Sequence, residues 1–93
     1  MGSFTTRVEL HMATYSDYEI LHVKMQAEGF SRFITSDDGT TYHLPTAEYD
    51  ISGYFTAVDV RQRAERAVRA TGKTGAVLVS AATSRTWSGL VRK

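Results

Sequence analysis

The chain has 93 residues, of which 42% are apolar and 23% charged, and it carries a formal net charge of +1. This size and composition predict one globular domain and argue against disorder. There is no cysteine, which excludes disulfides, thiolate metal sites and a cysteine nucleophile. No apolar run approaches the ~20 residues of a membrane span, and the N-terminal residues lack a signal-peptide pattern. We therefore expect a cytoplasmic protein.

The first quarter of the chain predicts a strand and a helix. Apolar and polar residues alternate over 4–11, which is the period of a strand with one buried face. Ser16 and Glu19 have the spacing of a capping box. We therefore predict a helix from Asp17 to Glu28 that stops at Gly29, a residue suited to the left-handed position after a helix.

This predicted helix has two apolar stripes. The first has helical spacing and faces the core, and it consists of Tyr18, Leu21, His22 and Met25. The second lies on another face and consists of Ile20, Val23 and Ala27. A surface helix needs only one stripe, so the second indicates either a broad core contact or a partner surface. We interpret it as core.

Two further strands are predicted in the middle of the chain. Residues 30–35 and 40–44 are rich in β-branched and aromatic side chains, and a turn containing Gly39 separates them. Pro45 has no amide hydrogen to donate and so marks the end of pairing. The third strand is expected to resume beyond it, over 46–51.

A second helix and a short strand follow. Residues 56–59, Thr-Ala-Val-Asp, form a helix start signal, and Gly72 ends the helix. One narrow apolar face is formed by Ala57, Val60, Ala64, Ala67, Val68 and Thr71. The apolar run over 76–80 is typical of an interior strand. Residues 84–90 could add an edge strand, with Trp87 covering the rim of the core.

The element order is therefore β, α, β, β, α, β. It predicts an α+β fold, a βαββαβ two-layer sandwich in which two amphipathic helices cover one face of an antiparallel sheet of four or five strands. The other face would carry Arg7 and Glu9 and would be open to solvent, to a second copy or to a ligand.

Charge is distributed unevenly along the chain. Residues 1–60 hold three basic and nine acidic side chains, whereas residues 61–93 hold eight basic side chains and one acidic. A basic C-terminal third permits nucleic-acid binding. The alternative is that the two parts neutralise each other within the fold or across a dimer.

The most concrete candidate site is the outer face of the second helix. Its candidate RNA-binding residues are Arg61, Arg63, Arg66, Arg69 and Lys73. Arginine binds phosphate in bidentate fashion, and a basic helix face is an electrostatic footprint for nucleic acid. The alternative is an ordinary solvated face, because arginine is also a good helix former.

Other chemistry has weaker signals. The carboxylates have no recognisable metal-ligand spacing, so we predict no metal site and no cofactor. A metal-free ribonuclease would use histidine as acid and base, with arginine or lysine on the phosphate. The three histidines are His11, His22 and His43. His22 lies on the core stripe of its helix, and we interpret it as structural.

A family resemblance covers most of the chain, from Phe4 to about Val79. The stretches that carry it are 29–31, 34–39 and 44–49, followed by the helix from Ala57. With this element order they resemble the GhoS-type antitoxins of type V toxin–antitoxin systems. The resemblance implies a ferredoxin-like fold similar to that of small CRISPR-associated nucleases. It also implies endoribonuclease activity against the messenger of a membrane-active toxin.

Two main functional hypotheses follow. The first is an RNA-binding protein with endoribonuclease activity, in which Arg7, Arg32 and His43 are the candidate catalytic residues. The second is a non-catalytic interaction module of a phage or mobile element, acting through a homodimer or partner surface. A small-molecule enzyme on the same fold has no supporting motif, and fold alone does not decide among these classes.

Overall fold

The computed structural model describes residues 1–93 and contains five strands and two helices. In chain order they are β1 (Gly2–Leu10), α1 (Tyr15–Ala27), β2 (Phe33–Thr35), β3 (Thr41–His43), β4 (Glu48–Gly53), α2 (Ala57–Ala70) and β5 (Gly75–Ala82). The predicted α+β class, with two helices and antiparallel strands, is confirmed. Neither helix is long and apolar enough to cross a membrane.

The strands form two sheets instead of the single sheet predicted. The main sheet has the order β4-β1-β5 with antiparallel pairing, and β2 and β3 form a separate antiparallel hairpin. A single bridge between Ser31 and Asp50 links the chain before β2 to β4. Between the hairpin and β4, Pro45 has no amide hydrogen and Ala47 has a φ of 66°. The chain therefore turns sharply there, and the β3 pairing does not continue into β4.

One core is shared by both helices and the main sheet. Along β1, Phe4, Thr6, Val8 and Leu10 are buried. The three apolar residues among them pack with Tyr49 and Ile51 of β4, with Leu21 and Met25 of α1, and with Val60, Ala64, Ala67 and Val68 of α2. Both helices thus contribute to the same inner face of the sheet, as the sequence predicts. The small alanines of α2 allow close packing there.

The start of α1 differs from the prediction. The N-cap is Thr14, whose hydroxyl accepts from the Asp17 amide at 3.3 Å, and the Asp17 carboxylate accepts from the Thr14 amide at 2.8 Å. The prediction of Ser16 and Glu19 as the cap was wrong, since a second Ser/Thr-x-x-acid pair lies two residues earlier. In α2 the predicted cap is confirmed, with Thr56 and Asp59 in the same reciprocal arrangement.

Two burial predictions were also wrong. The second stripe of α1 is not core, because Ile20 is 44% and Val23 63% exposed. The strand over 76–80 is not interior, because β5 lies at the edge of the main sheet. Its residues alternate between half-buried Val77 and Val79 and exposed positions that include Leu78. A short apolar run fits an edge strand equally well when one face of the sheet is open.

Residues 83–93, here called the C-terminal segment, run from the open face of the main sheet to the hairpin. Arg85 donates to the Thr5 hydroxyl at 3.1 Å and pairs with Asp50 at 2.6 Å. Farther along, the segment joins β3, where the His43 amide donates to the Val91 carbonyl and the Lys93 amide to the Thr41 carbonyl. The strand predicted over 84–90 does not form, and Trp87 packs on Tyr42 instead of the core rim.

A candidate nucleic-acid interface

The three candidate catalytic residues do not converge. Arg7 is exposed on the open face of the main sheet, where its partners in register are Glu48 and Leu78. Arg32 lies in the connection between α1 and β2. His43 is the last residue of β3, on the hairpin. Arg7 therefore lies apart from Arg32 and His43, which are both at the hairpin.

The two central arginines of α2 hold the helices together. Arg63 donates to the Glu28 carbonyl at 2.9 Å, and its guanidinium lies 4.8 Å from the centre of the Phe55 ring. Arg66 makes a two-pronged contact with the Glu28 carboxylate, at 2.9 Å from one nitrogen and 3.2 Å from another. This contact raises the pKa of Arg66. Glu28 lies at the end of α1, so these bonds join the two helices.

The other basic residues of the predicted RNA-binding face differ in how many contacts they make within the protein. Lys73 lies 3.7 Å from the Asp17 carboxylate and donates to the Met12 carbonyl at 3.3 Å. Arg61 forms a looser pair with Glu65 one helical turn away, at 3.6 Å. Arg69 is exposed and has no ion-pair partner. The predicted RNA-binding face is thus mostly occupied by contacts within the protein.

The ion pairs explain the uneven charge of the sequence. Three of the four link a base from residues 61–93 to an acid from residues 1–60: Arg66 with Glu28, Lys73 with Asp17, and Arg85 with Asp50. The neutralising interpretation of the charge asymmetry therefore accounts for three of the eight C-terminal bases. Arg92 and Lys93, the last two residues, form no ion pair.

An aromatic and cationic cluster lies on the hairpin. Phe33 of β2 and His43 of β3 are directly opposite in register, and their ring centres are 5.0 Å apart in an edge-to-face arrangement. The ammonium of Lys93 lies 4.4 Å from the centre of the Phe33 ring. We call Phe33, His43 and Lys93 the hairpin platform. Arg32 immediately precedes Phe33 and is exposed.

A groove of about 410 Å³ runs along α1 beside the platform. Its lining includes Glu19, His22, Gln26, Phe30, Arg32 and Phe33. We call it the α1–β2 groove. It brings one candidate catalytic residue, Arg32, beside a histidine that the sequence analysis interpreted as structural.

His22 has both a structural and an outward-facing nitrogen. Its Nδ1 lies 2.7 Å from the Tyr49 hydroxyl, and Tyr49 is fully buried with no other hydroxyl partner. The buried O–H must donate, so Nδ1 accepts and Nε2 carries the ring proton. Nε2 has no protein partner and is not sealed from solvent, which leaves an N–H donor facing the groove.

The protonation of this pair is set by burial. Burial lowers the pKa of His22, the positive charge of Arg32 lowers it further, and the Glu19 carboxylate opposes them. Burial also raises the pKa of Tyr49. The imidazole is therefore neutral and the phenol protonated at neutral pH, consistent with the hydrogen bond described.

A larger and more polar cavity of about 670 Å³ lies between the C-terminal segment and the hairpin. Asp37, Asp38 and Arg85 are among the residues that line it. Hydrogen bonds from Ser36 and Thr40 lower the pKa of Asp38 to about 2, which is the pattern of a turn carboxylate. No group of three or more acidic and histidine side chains is placed to hold a metal ion.

The chain was compared with known families and proteins. No protein-family model matches it, and no curated protein is significantly similar to it.

Sequence reasoning missed Phe33, Glu19 and Lys93 as site residues. The pairing of Phe33 with His43 was accessible, because a turn centred on Asp38 places these positions opposite each other. The position of Lys93 was not, since it depends on where the C-terminal segment crosses the molecule. Glu19 has the sequence spacing of a capping residue, and this pattern gives no sign that its side chain lines a groove.

Proposed function

We propose that the chain is an RNA-binding protein that holds single-stranded RNA on the hairpin platform. The observation that carries the proposal is the cross-strand Phe33–His43 pair with the Lys93 ammonium beside the Phe33 ring. Unpaired bases stack on aromatic side chains, and nearby cations attract the phosphates. Arg32 adds a further exposed guanidinium next to Phe33.

The resemblance to GhoS-type antitoxins supports the same proposal and extends it to RNA cleavage. On the platform, His43 would act as acid or base, and Arg32 or Lys93 would hold the phosphate. A ferredoxin-like topology is part of this proposal. It is supported by the order β4-β1-β5 and by the Ser31–Asp50 bridge on the outer edge of β4.

The test is RNA binding measured by fluorescence anisotropy with labelled single-stranded oligonucleotides, at about 50 mM and 200 mM salt. Phe33→Leu keeps an apolar side chain but removes the ring, and we expect about a tenfold loss of affinity. Lys93→Gln should reduce the salt slope by about 0.7. Reactions with EDTA and with Mg²⁺, read on a gel, report whether the RNA is cleaved and whether cleavage needs metal. The same reactions with His43→Gln report whether cleavage needs His43.

Arg69→Gln is the matched control, because Arg69 is exposed, unpaired and on α2. It should leave affinity and salt slope near the wild-type values. If Arg69→Gln weakens binding and Phe33→Leu does not, the interface is the helix face and the platform is wrong. Absence of binding to any RNA at low salt would remove the proposal.

A second candidate function rests on the exposed stripe of α1. Ile20 and Val23 are 44% and 63% exposed, and Tyr15 at the start of the helix is 81% exposed. Exposed apolar side chains gathered on one element are typical of an interaction surface. We propose self-association through this stripe as the alternative, corresponding to a non-catalytic interaction module.

Sedimentation of wild type and Val23→Lys separates the two candidates. A dimer that becomes a folded monomer in Val23→Lys supports the interaction surface, with circular dichroism as the folding check. A wild type that sediments as a monomer at all concentrations removes self-association as the function.

A further inference from the structure

The α1–β2 groove offers a hydrogen-bond donor and an acceptor on one helix face. The donor is the Nε2–H of His22, held in that tautomer by Tyr49. The acceptor is the carboxylate of Glu19, which lines the same groove and forms no ion pair. Residues three apart on a helix are neighbours, so the two groups lie within about 5–6 Å at their Cβ atoms.

The donor is built into the fold. His22 is only 9% exposed, and its other nitrogen is fixed by a fully buried tyrosine. Its Nε2–H has no hydrogen-bond partner within the protein, so only water that reaches the groove can accept from it when the groove is empty. The groove therefore presents an unpaired N–H that a bound group can satisfy.

The remainder of the lining suits a flat aromatic ligand. Phe30 and Phe33 supply apolar surface, and the Gln26 amide adds a group that donates and accepts. A volume of about 410 Å³ accommodates a nucleobase. Aromatic surface combined with one donor and one carboxylate is how proteins bind the edge of an unstacked base.

Among the four bases, guanine fits this pair of groups best. Its Watson–Crick edge presents the O6 acceptor next to two adjacent donors, N1–H and N2–H. One carboxylate can accept from both donors. Adenine and cytosine present only one exocyclic amino donor at this edge, and uracil presents a single N–H between two carbonyls.

We propose that the α1–β2 groove binds one unpaired guanine base of RNA, with Glu19 accepting from N1–H and N2–H and His22 Nε2–H donating to O6. The inference rests on the proposed function, because it names the base that enters the groove beside the hairpin platform. Arg32 and Lys93 are then left to the flanking phosphates.

The experiment compares decauridylate with the same oligonucleotide carrying one central guanine or one central adenine. Wild-type protein should bind the guanine-containing RNA about tenfold more tightly than the other two. Glu19→Gln should abolish this preference, since a carboxamide cannot accept both hydrogens. Glu9→Gln removes the same charge from the exposed face of β1 and should keep the preference.

The outcomes separate this inference from the proposed function. Equal binding of all three RNAs, or a guanine preference that survives Glu19→Gln, overturns the guanine site and leaves RNA binding intact. If no RNA binds, the proposed function fails. The guanine site is then tested by NMR titration with guanosine monophosphate and adenosine monophosphate. Chemical-shift changes of the Glu19 and His22 amides with guanosine monophosphate alone support the site, and their absence overturns it.

Discussion

The hydroxyl of Thr6 is a buried polar atom without a hydrogen-bond partner. Thr6 is fully buried on the inner face of β1, between Phe4 and Val8. An unsatisfied hydroxyl costs about 1–3 kcal/mol, and valine has nearly the same shape. We expect Thr6→Val to raise the free energy of unfolding by about 1 kcal/mol and Tm by about 4–8 °C.

Thermal unfolding followed by circular dichroism measures this change. Thr46→Val, at an exposed loop position, is the control and should leave Tm where it is. A lower Tm for Thr6→Val would mean that the hydroxyl has a partner, such as a buried water.

The buried state of His22 predicts a pH dependence of stability. Its pKa in the folded protein is lowered by burial and by the charge of Arg32, against the opposing charge of Glu19, while Tyr49 is protonated beside it. Below its ordinary pKa of 6.5 the unfolded chain therefore binds more protons than the folded one. Above pH 6.5, His22 is neutral in both states and does not lower the free energy of unfolding. As pH falls below 6.5, the unfolded chain takes up the proton first, and the free energy of unfolding decreases.

Urea unfolding at a series of pH values measures this effect. Wild type should lose stability between about pH 6.5 and 5, and His22→Gln should lose less over that interval. Asp17, Asp38 and Asp59 also have lowered pKa values, but their stability contributions are lost at lower pH, from the ordinary value of 3.8 downward. Equal slopes for wild type and variant above pH 5 would contradict the assignment.

At the scale of the element, the two candidate caps of α1 make opposite predictions. Thr14 makes the reciprocal bonds with Asp17, whereas Ser16 lies inside the first turn. Thr14→Ala should therefore cost about 1 kcal/mol, as should Thr56→Ala at the equivalent position of α2. Ser16→Ala should be neutral or slightly stabilising, because alanine is the better helix former.

The midpoint of urea unfolding reports these differences if the m-value stays constant. A loss for Ser16→Ala similar to that for Thr14→Ala would place the helix start where the sequence pattern alone put it. The test distinguishes two capping boxes that share one stretch of sequence.

The helices also show what sequence periodicity determines and what it leaves open. The core stripe containing Leu21 and Met25 was predictable because a 3.6-residue period selects one face. The exposure of Ile20 and Val23 was not, since an apolar residue on a second face has the same pattern whether that face is covered or open. Periodicity identifies a face, and only the packing of other elements decides its environment.

The same limit applies to the candidate site. The Phe33–His43 pairing follows from the hairpin, so local sequence determines it. The meeting of His22 with Tyr49, and of Lys93 with Phe33, joins residues 27 and 60 positions apart. Such contacts depend on the path of the whole chain. The basic face of α2 is the clearest signal in the sequence, yet whether its arginines are free depends on a distant residue. Glu28, on α1, forms an ion pair with Arg66.

At the scale of the whole molecule, Arg85 couples the C-terminal segment to the main sheet. Its guanidinium bonds to Asp50 and Thr5 on the open face, and both partners of the ion pair are mostly buried. We expect Arg85→Met to release the segment. Amide hydrogen exchange should then quicken at His43 and Lys93, whose amides bond across the junction between the segment and β3.

The pairing between β1 and β5 supplies the internal control for this measurement. The amide of Leu78 should keep its protection, because Leu78 and Arg7 are a hydrogen-bonded pair of the β1–β5 ladder, and this ladder does not involve the segment. An equal increase at every amide would indicate global destabilisation instead. Local release has a further consequence, because the segment carries Lys93 to the platform. Arg85→Met should then lower RNA affinity and its salt slope about as much as Lys93→Gln, although Arg85 is tied to the sheet and lies outside the platform.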